Sequence, residues 1–127
     1  MQTNGERSME NEQTVRSITI DLDYPYTEYI ESNHFKMIQK TTSEWQDVRL
    51  REIRTSPSGR VHLRIWFDKP ITVLASFCRR AILGDDPFRL ACDLARLELY
   101  GDEKIGRTFD VKYVDGQQKR AGNWRLF

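Results

Sequence analysis

Ser17-Ile18-Thr19-Ile20-Asp21-Leu22-Asp23 alternates polar and apolar residues without a break. A period of two puts Ile18, Ile20 and Leu22 on one face of a β-strand and Ser17, Thr19, Asp21 and Asp23 on the other. A helix does not segregate residues this way, so the segment demands a sheet with one covered and one open face. Pro25 ends the strand, because proline cannot donate to a ladder. Asp21 and Asp23 then project together from the open face. Such carboxylates repel each other unless a cation sits between them. Hard oxygen ligands of this kind suit Mg²⁺ or Mn²⁺, with phosphates completing the shell. Two solvated acids at a strand end are the plain alternative.

The rest of the chain supplies partners for that strand. Residues 1–14 are polar and aperiodic and read as a flexible tail; residues 15–127 read as one domain. The first strand covers Val15–Asp23, and a helix follows from Tyr26 to about Lys40. Trp45–Thr55 is a second strand whose phase slips at Glu52-Ile53, the mark of a bulge. Ser56-Pro57-Ser58-Gly59 is a turn, and Val61–Phe67 a third strand ended by Lys69-Pro70. Ile71–Leu83 carries apolar residues at helical spacing and stops at Gly84. Asp86-Pro87 has the form of an N-cap with proline at the first helical position. It opens Phe88–Tyr100, whose Leu90, Leu94 and Leu97 predict a core-facing stripe ending at Gly101. Thr108–Val114 alternates again as a fourth strand, and Trp124 and Phe127 predict a docked C-terminal tail. The order β-α-β-β-α-β predicts an α+β fold of ferredoxin-like or RRM-like plan, a four-stranded antiparallel sheet with helices on one face. In that plan the first strand lies between the third and the fourth.

A net charge of +1 gives no global attraction to polyanions, so any nucleic-acid contact has to be local. No run approaches the roughly 18 apolar residues of a membrane span, and no signal-peptide pattern opens the chain; the cytoplasm is the expected compartment. With two histidines and two cysteines there is no zinc constellation. Cys78 and Cys92 sit in apolar helical contexts and read as buried free thiols.

Combining alternation with the expected strand order predicts a site. The open face carries Asp21 and Asp23 on the central strand, His62, Arg64 and Trp66 on one neighbour, and Asp110 and Lys112 on the other. Acids side by side on adjacent strands destabilise a sheet, and a metal ion with a polyphosphate ligand offsets that cost. The Ser58-Gly59 turn presents backbone N–H groups to an anion, Arg60 offers a guanidinium fork, and His62 can donate to a phosphate oxygen. A surface histidine paired with an acid is the competing reading. Arg49, Arg51, Arg54 and Arg64 with Trp66 suggest a basic, aromatic track for a nucleic-acid strand, or charges that guard an edge. Arg79, Arg80, Arg89 and Arg96 read as solvated helix faces. Asp85-Asp86 reads as helix capping.

These segments resemble the motifs of the archaeo-eukaryotic primases and related primase-polymerases. Ile18-Thr19-Ile20-Asp21-Leu22-Asp23 resembles their hydrophobic strand ending in paired acids. Ser56-Pro57-Ser58-Gly59-Arg60-Val61-His62 resembles their small-residue turn ending in histidine, and Thr108-Phe109-Asp110 their third acid, with Asp93 as a rival. The resemblance covers about Ser17 to Val114. It implies a palm-like unit in which Asp21, Asp23 and Asp110 bind Mg²⁺ or Mn²⁺ for nucleotidyl transfer, while Ser58, Arg60 and His62 hold the nucleotide's phosphates. Polymerases of this family carry a further α/β unit before the first motif, and here a short tail stands in its place. That implies a partner: a helicase, a second primase unit or a homodimer mate. Leu83-Gly84-Asp85-Asp86-Pro87 also resembles a segment of small phage and archaeal-virus proteins.

Two other functions compete. A non-catalytic RRM-like module would bind nucleic acid through Arg49, Arg51, Arg64 and Trp66, but the first strand presents acids where such modules stack bases. A rolling-circle nuclease needs a second histidine beside His62, which Arg64 replaces.

Overall fold

The computed structural model describes residues 13–100, 108 and 110–127. Residues 1–12 of the expected tail, the stop at Gly101 and Phe109 lie outside the described residues. In chain order the elements are β1 (Thr14–Leu22), α1 (Tyr26–Tyr29), α2 (Asn33–Glu44), β2 (Val48–Thr55), β3 (Val61–Thr72), α3 (Val73–Ile82), α4 (Pro87–Tyr100), β4 (Val111–Val114), β5 (Gln117–Arg120) and β6 (Arg125–Leu126). The fold is mixed α+β, with a four-stranded antiparallel sheet in the order β1-β3-β2-β6 and a separate β4-β5 hairpin. Among the described residues no helix is long and apolar enough to cross a membrane.

The alternation in β1 does what its period requires. Ile18, Ile20 and Leu22 face Ile65, Leu63 and Val61 of β3 across the ladder, and all six are buried. Tyr29, Phe35 and Ile38 from α1 and α2 complete the core with Ile53, Phe67 and Leu83. Each fully buried aliphatic side chain here contributes about 1.5–3 kcal/mol. The helix expected from Tyr26 onward is divided, because Ser32 interrupts it. Its hydroxyl donates to the Tyr29 carbonyl (2.6 Å) and accepts from the Phe35 N–H (3.1 Å), so one helix ends where the next is capped.

The strand order differs from the expected plan. β1 does not sit between β3 and a fourth strand. The expected fourth strand instead folds back on itself: β4 pairs with β5 through Asp115 and Gly116, both at positive φ (52° and 76°). A two-residue Asp-Gly loop of this kind is a strong local hairpin former, and it captures Val111–Val114 before a distant strand can. The outer edge of β1 is covered by other groups. Asp21 N–H donates to Asp85 Oδ1 (2.8 Å), the Asp21 carbonyl accepts from Asp86 N–H (3.3 Å), and the Thr19 carbonyl accepts from Arg89 Nη1 (2.9 Å). The fourth strand of the sheet is β6, beside β2. Phe127 follows it, packing on Phe35 at 5.3 Å between ring centroids, so the tail is docked as its aromatic residues suggest.

Other boundaries shift for identifiable reasons. The bulge in β2 falls between Val48 and Leu50, earlier than Glu52-Ile53. Val48 and Ile53 both serve the covered face but are an odd number apart, so one slip is needed between them, and it falls at Arg49. β3 continues past Pro70 to Thr72 through an irregular pairing with β1, and Thr72 caps α3 by accepting from Ala75 N–H (3.0 Å). Gly84 takes positive φ (85°), as a helix stop should.

The last helix buries a different side from the one its leucines suggest. Leu94 is 53% exposed, whereas Asp93 is 1% exposed. The reason is Arg80 of α3, itself buried, which donates to Asp85 Oδ2 and Asp93 Oδ2 at 2.8 Å each. A buried guanidinium needs anions, and α4 turns to supply one. Arg80 and Arg89 are therefore not solvated, contrary to the reading of the helix arginines. Cys78 is exposed rather than buried, because α3 buries Val73, Ser76, Phe77 and Arg80 instead.

Candidate functional site

On the open face the ladder sets side chains in rows. Asp21, His62 and Arg54 are cross-strand partners on β1, β3 and β2. Thr19, Arg64 and Glu52 form the next row, and Ser17, Trp66 and Leu50 the one after. The first row holds the chemistry. Arg54, 6% exposed, donates from Nε to His62 Nδ1 (3.0 Å), from Nη1 to Asp110 Oδ1 (2.8 Å) and from Nη2 to Thr108 Oγ1 (3.1 Å). On its other side His62 Nε2 lies 3.9 Å from Asp21 Oδ1.

The environment sets the charges. Burial, then the positive charges of Arg54 and Arg89, push the His62 pKa down to about 4, against a smaller opposing effect of Asp110. His62 is therefore neutral at pH 7, and its approach to Asp21 is not an ion pair. Burial raises the Asp21 pKa; Arg89 opposes this, and the Asp85, Asp86 and Asp23 carboxylates add to it.

A cleft of about 850 Å³ opens over this row. Asp21, His62, Ser56 and Ser58 form its sheet side. Arg89, Cys92 and Arg96 of α4 form one wall, and Thr108, Val111 and Lys112 another. The α4 helix thus reaches the open face, so the helices do not all lie on one side of the sheet. Its placement follows from Asp85, whose carboxylate accepts from the N–H groups of Asp21 and Asp86 and from Arg80 and Arg89 (2.7–3.0 Å). Asp86 is the helix cap, accepting from Phe88 N–H at 2.9 Å.

The sequence-derived candidates are placed as follows. Asp21, His62 and Ser58 line one cleft. Asp23 lies just beyond β1, 90% exposed at its side chain, and pairs with Arg60 at 3.3 Å. Asp110 lies on the far side of Arg54 from His62, so a guanidinium and an imidazole separate it from Asp21. Asp93, its rival, is spent on Arg80 and Arg96. The turn from Ser56 to Arg60 is a type I turn with a glycine bulge, Gly59 at φ 80°. Its N–H groups at Ser56, Gly59 and Arg60 bond within the turn.

The basic track is divided. Arg64 is held between the rings of Trp66 (5.2 Å) and Trp124 (4.1 Å) and donates to Glu52 (2.8 Å), which also accepts from Trp66 Nε1 (2.7 Å). Arg51 points to the helix side, donating to the Gln39 carbonyl and Thr42 (both 3.1 Å). Arg49 is exposed at the bulge, beside Arg51.

The sequence reading gave no cleft role to Ser56, Thr108, Trp124 or Arg89, and it placed Arg54 on the basic track rather than against His62. Arg54 carries one readable signal: it stands opposite His62 once the Ser56–Gly59 hairpin is closed. Arg89 carries another, its i,i+4 spacing from Asp85.

Mg²⁺ commonly takes only one or two carboxylates from protein and keeps phosphates and water in its shell, so the acids to weigh are Asp21 in the cleft and Asp23 beside it, paired with Arg60. Asp110 pairs with Arg54. Among the described residues no group of three or more His, Cys, Asp and Glu side chains stands at metal-binding spacing. Compared with family models, with curated proteins and with solved structures, the chain matches none.

Proposed function

We propose that the cleft binds a nucleoside triphosphate beside nucleic acid, and that the domain is the palm-like unit of a nucleotidyltransferase of primase-polymerase kind. One observation carries the reading: an acid (Asp21), a neutral histidine (His62) and a serine turn (Ser58) meet in a single cleft whose other walls bring Arg89, Arg96 and Lys112. Acids for a cation and cations for phosphates, facing each other across one cavity, are the two halves of a metal–triphosphate site.

In this reading Asp21 and Asp23 hold Mg²⁺ or Mn²⁺, and the ion supplies charge stabilisation to the phosphates. His62 donates from Nε2, and the Ser58 hydroxyl donates beside it. Arg96 and Lys112 neutralise the outer phosphates from opposite walls. Arg60, tied to Asp23 outside the cleft, serves the acid more directly than the phosphates. The transfer is attack of a 3′-hydroxyl on the α-phosphate with pyrophosphate leaving, which requires positioning above all. The βαββ portion with its covered and open faces supports the RRM-like comparison, and the hairpin in place of a fourth strand beside β1 marks a departure from it.

One observation favours a second reading, binding without catalysis: Asp110 is held by Arg54 and leaves the acid pair without a third carboxylate. Thermal melting with Mn²⁺ and a deoxynucleoside triphosphate, followed by primer extension, separates the two. Stabilisation that needs both ligands and is lost in Asp21→Ala, together with extension, supports the transferase. Stabilisation without extension supports the binding module, and no stabilisation removes both.

A further inference from the structure

We propose that Arg54 is a positioning residue that fixes the tautomer of His62, and that Asp110, Thr108 and the C-terminal segment exist at this site to hold Arg54 in place. The argument is one of donors and acceptors. A guanidinium is always charged and has no lone pair to offer, so its Nε can only donate. At 3.0 Å from His62 Nδ1, it makes that nitrogen an acceptor. The single proton of the neutral ring then resides on Nε2, the nitrogen directed toward Asp21 and the cleft. The other tautomer would aim N–H at N–H and lose the hydrogen bond. Burial makes such a loss costly, because neither group can turn to water instead.

Arg54 is held on its other three sides. Asp110 and Thr108 take its two Nη groups, and the Trp124 ring covers its plane at 4.4 Å. The segment carrying Trp124 is itself tied down. Ala121 N–H donates to the Asp110 carbonyl (2.7 Å), and Gly122 N–H donates to the Thr55 carbonyl (2.9 Å). A Cβ at Gly122 would collide with the Thr55 hydroxyl, so glycine lets the backbone close onto β2 there. The groups facing His62 are thus Arg54 from β2, Asp21 from β1, Arg89 from α4 and, through Arg54, Asp110. Asp110, read from sequence as a third metal ligand, here acts on the histidine at one remove. The use of the aimed Nε2–H rests on the nucleotide reading above, whereas the tautomer itself does not.

The test is a long-range proton–nitrogen correlation spectrum of the isotopically labelled full chain near neutral pH, without nucleotide. His34→Gln identifies which ring is His62. The expected spectrum has an unprotonated Nδ1 and a protonated Nε2. In Arg54→Met the two nitrogens move toward averaged shifts, and Arg54→Lys, which keeps a donor, restores part of the difference. A protonated Nδ1 in the unaltered protein overturns the proposal, as does an unchanged spectrum in folded Arg54→Met. If Arg54→Met does not fold, Asp110→Asn decides, since its exposed side chain can be changed without opening the core. Partial averaging there supports the anchoring, and an unchanged spectrum overturns it. A fixed Nε2–H tautomer in a protein that ignores nucleotide keeps this inference and removes the functional reading; averaged shifts in a protein that binds nucleotide do the reverse.

Discussion

Arg54 and Arg80 are alike in type and burial, 6% and 2% exposed, and opposite in what surrounds them. Arg80 faces Asp85 and Asp93, whose side chains are 0% and 2% exposed, with every contact inside the protein. Its cluster joins α3, α4 and the edge of β1, and it borders the cleft only through Asp93 and Arg89. Arg54 faces a histidine that opens onto a cleft and a carboxylate that is 77% exposed. The same buried cation is architecture in one place and the support of a reactive group in the other. The distinction lies in whether its partners end at solvent-accessible space.

The comparison can be broken in several ways. Arg80→Met removes the buried cation shared by Asp85 and Asp93, leaving them only Arg89 and Arg96, and unfolding by denaturant should register a loss of about 3–5 kcal/mol. A loss below about 1 kcal/mol would mean that the cluster rearranges and is not the clasp described here. For the Arg54 side, pH is the probe. The folded His62 pKa, about 4, lies below its ordinary 6.5, so the unfolded chain binds more protons between those values. The contribution is whole above pH 6.5 and is lost as pH falls toward 4, by at most about 3 kcal/mol. Asp21 acts with the opposite sign, because its raised pKa makes the folded state the better proton binder above the carboxylate range. The difference in stability between the protein and His62→Gln isolates the histidine: it should shrink steadily from pH 6.5 to 4, and a flat difference contradicts the neutral, buried ring.

Smaller effects sharpen the same contrast. Asp110→Asn removes an exposed charge from a buried guanidinium that keeps its other partners. Stability should fall by about 1 kcal/mol or less, while nucleotide-dependent stabilisation weakens measurably. Equal and large losses in both would make Asp110 structural, like Asp85. Arg60→Ala, at a pair open to water on both sides, should change stability by about 0–1 kcal/mol and less at high salt. A larger, salt-insensitive effect would bring Arg60 back as a group buried against a ligand.

Much of the site was legible in the residues themselves. Alternation alone placed Asp21 on the open face, and the hairpin signal in Ser56–Gly59 returned β3 so that His62 came beside it. Asp86 capped its helix and Gly84 ended the one before, as local chemistry requires. Asp110 stands outside the expected strand order because the pairing of its segment could not be chosen locally. Reading its segment as a fourth strand beside β1 required a pairing across most of the chain, and the adjacent Asp115-Gly116 turn offered a nearer one. The basic track dissolved for a related reason: a bulge at Arg49 and the return of Trp124 reassigned Arg51 and Arg64 to different surroundings.

By itself, then, the sequence determined the strand faces, the turns, the caps and the identity of an acid and a histidine on one surface. These follow from periods and φ/ψ preferences that act over a few residues. Tertiary structure decided the strand order, the rotation of α4 toward Arg80, and the closure of the C-terminal segment over Arg54. Those depend on which distant group satisfies a buried charge or an open strand edge, and no local pattern carries that choice.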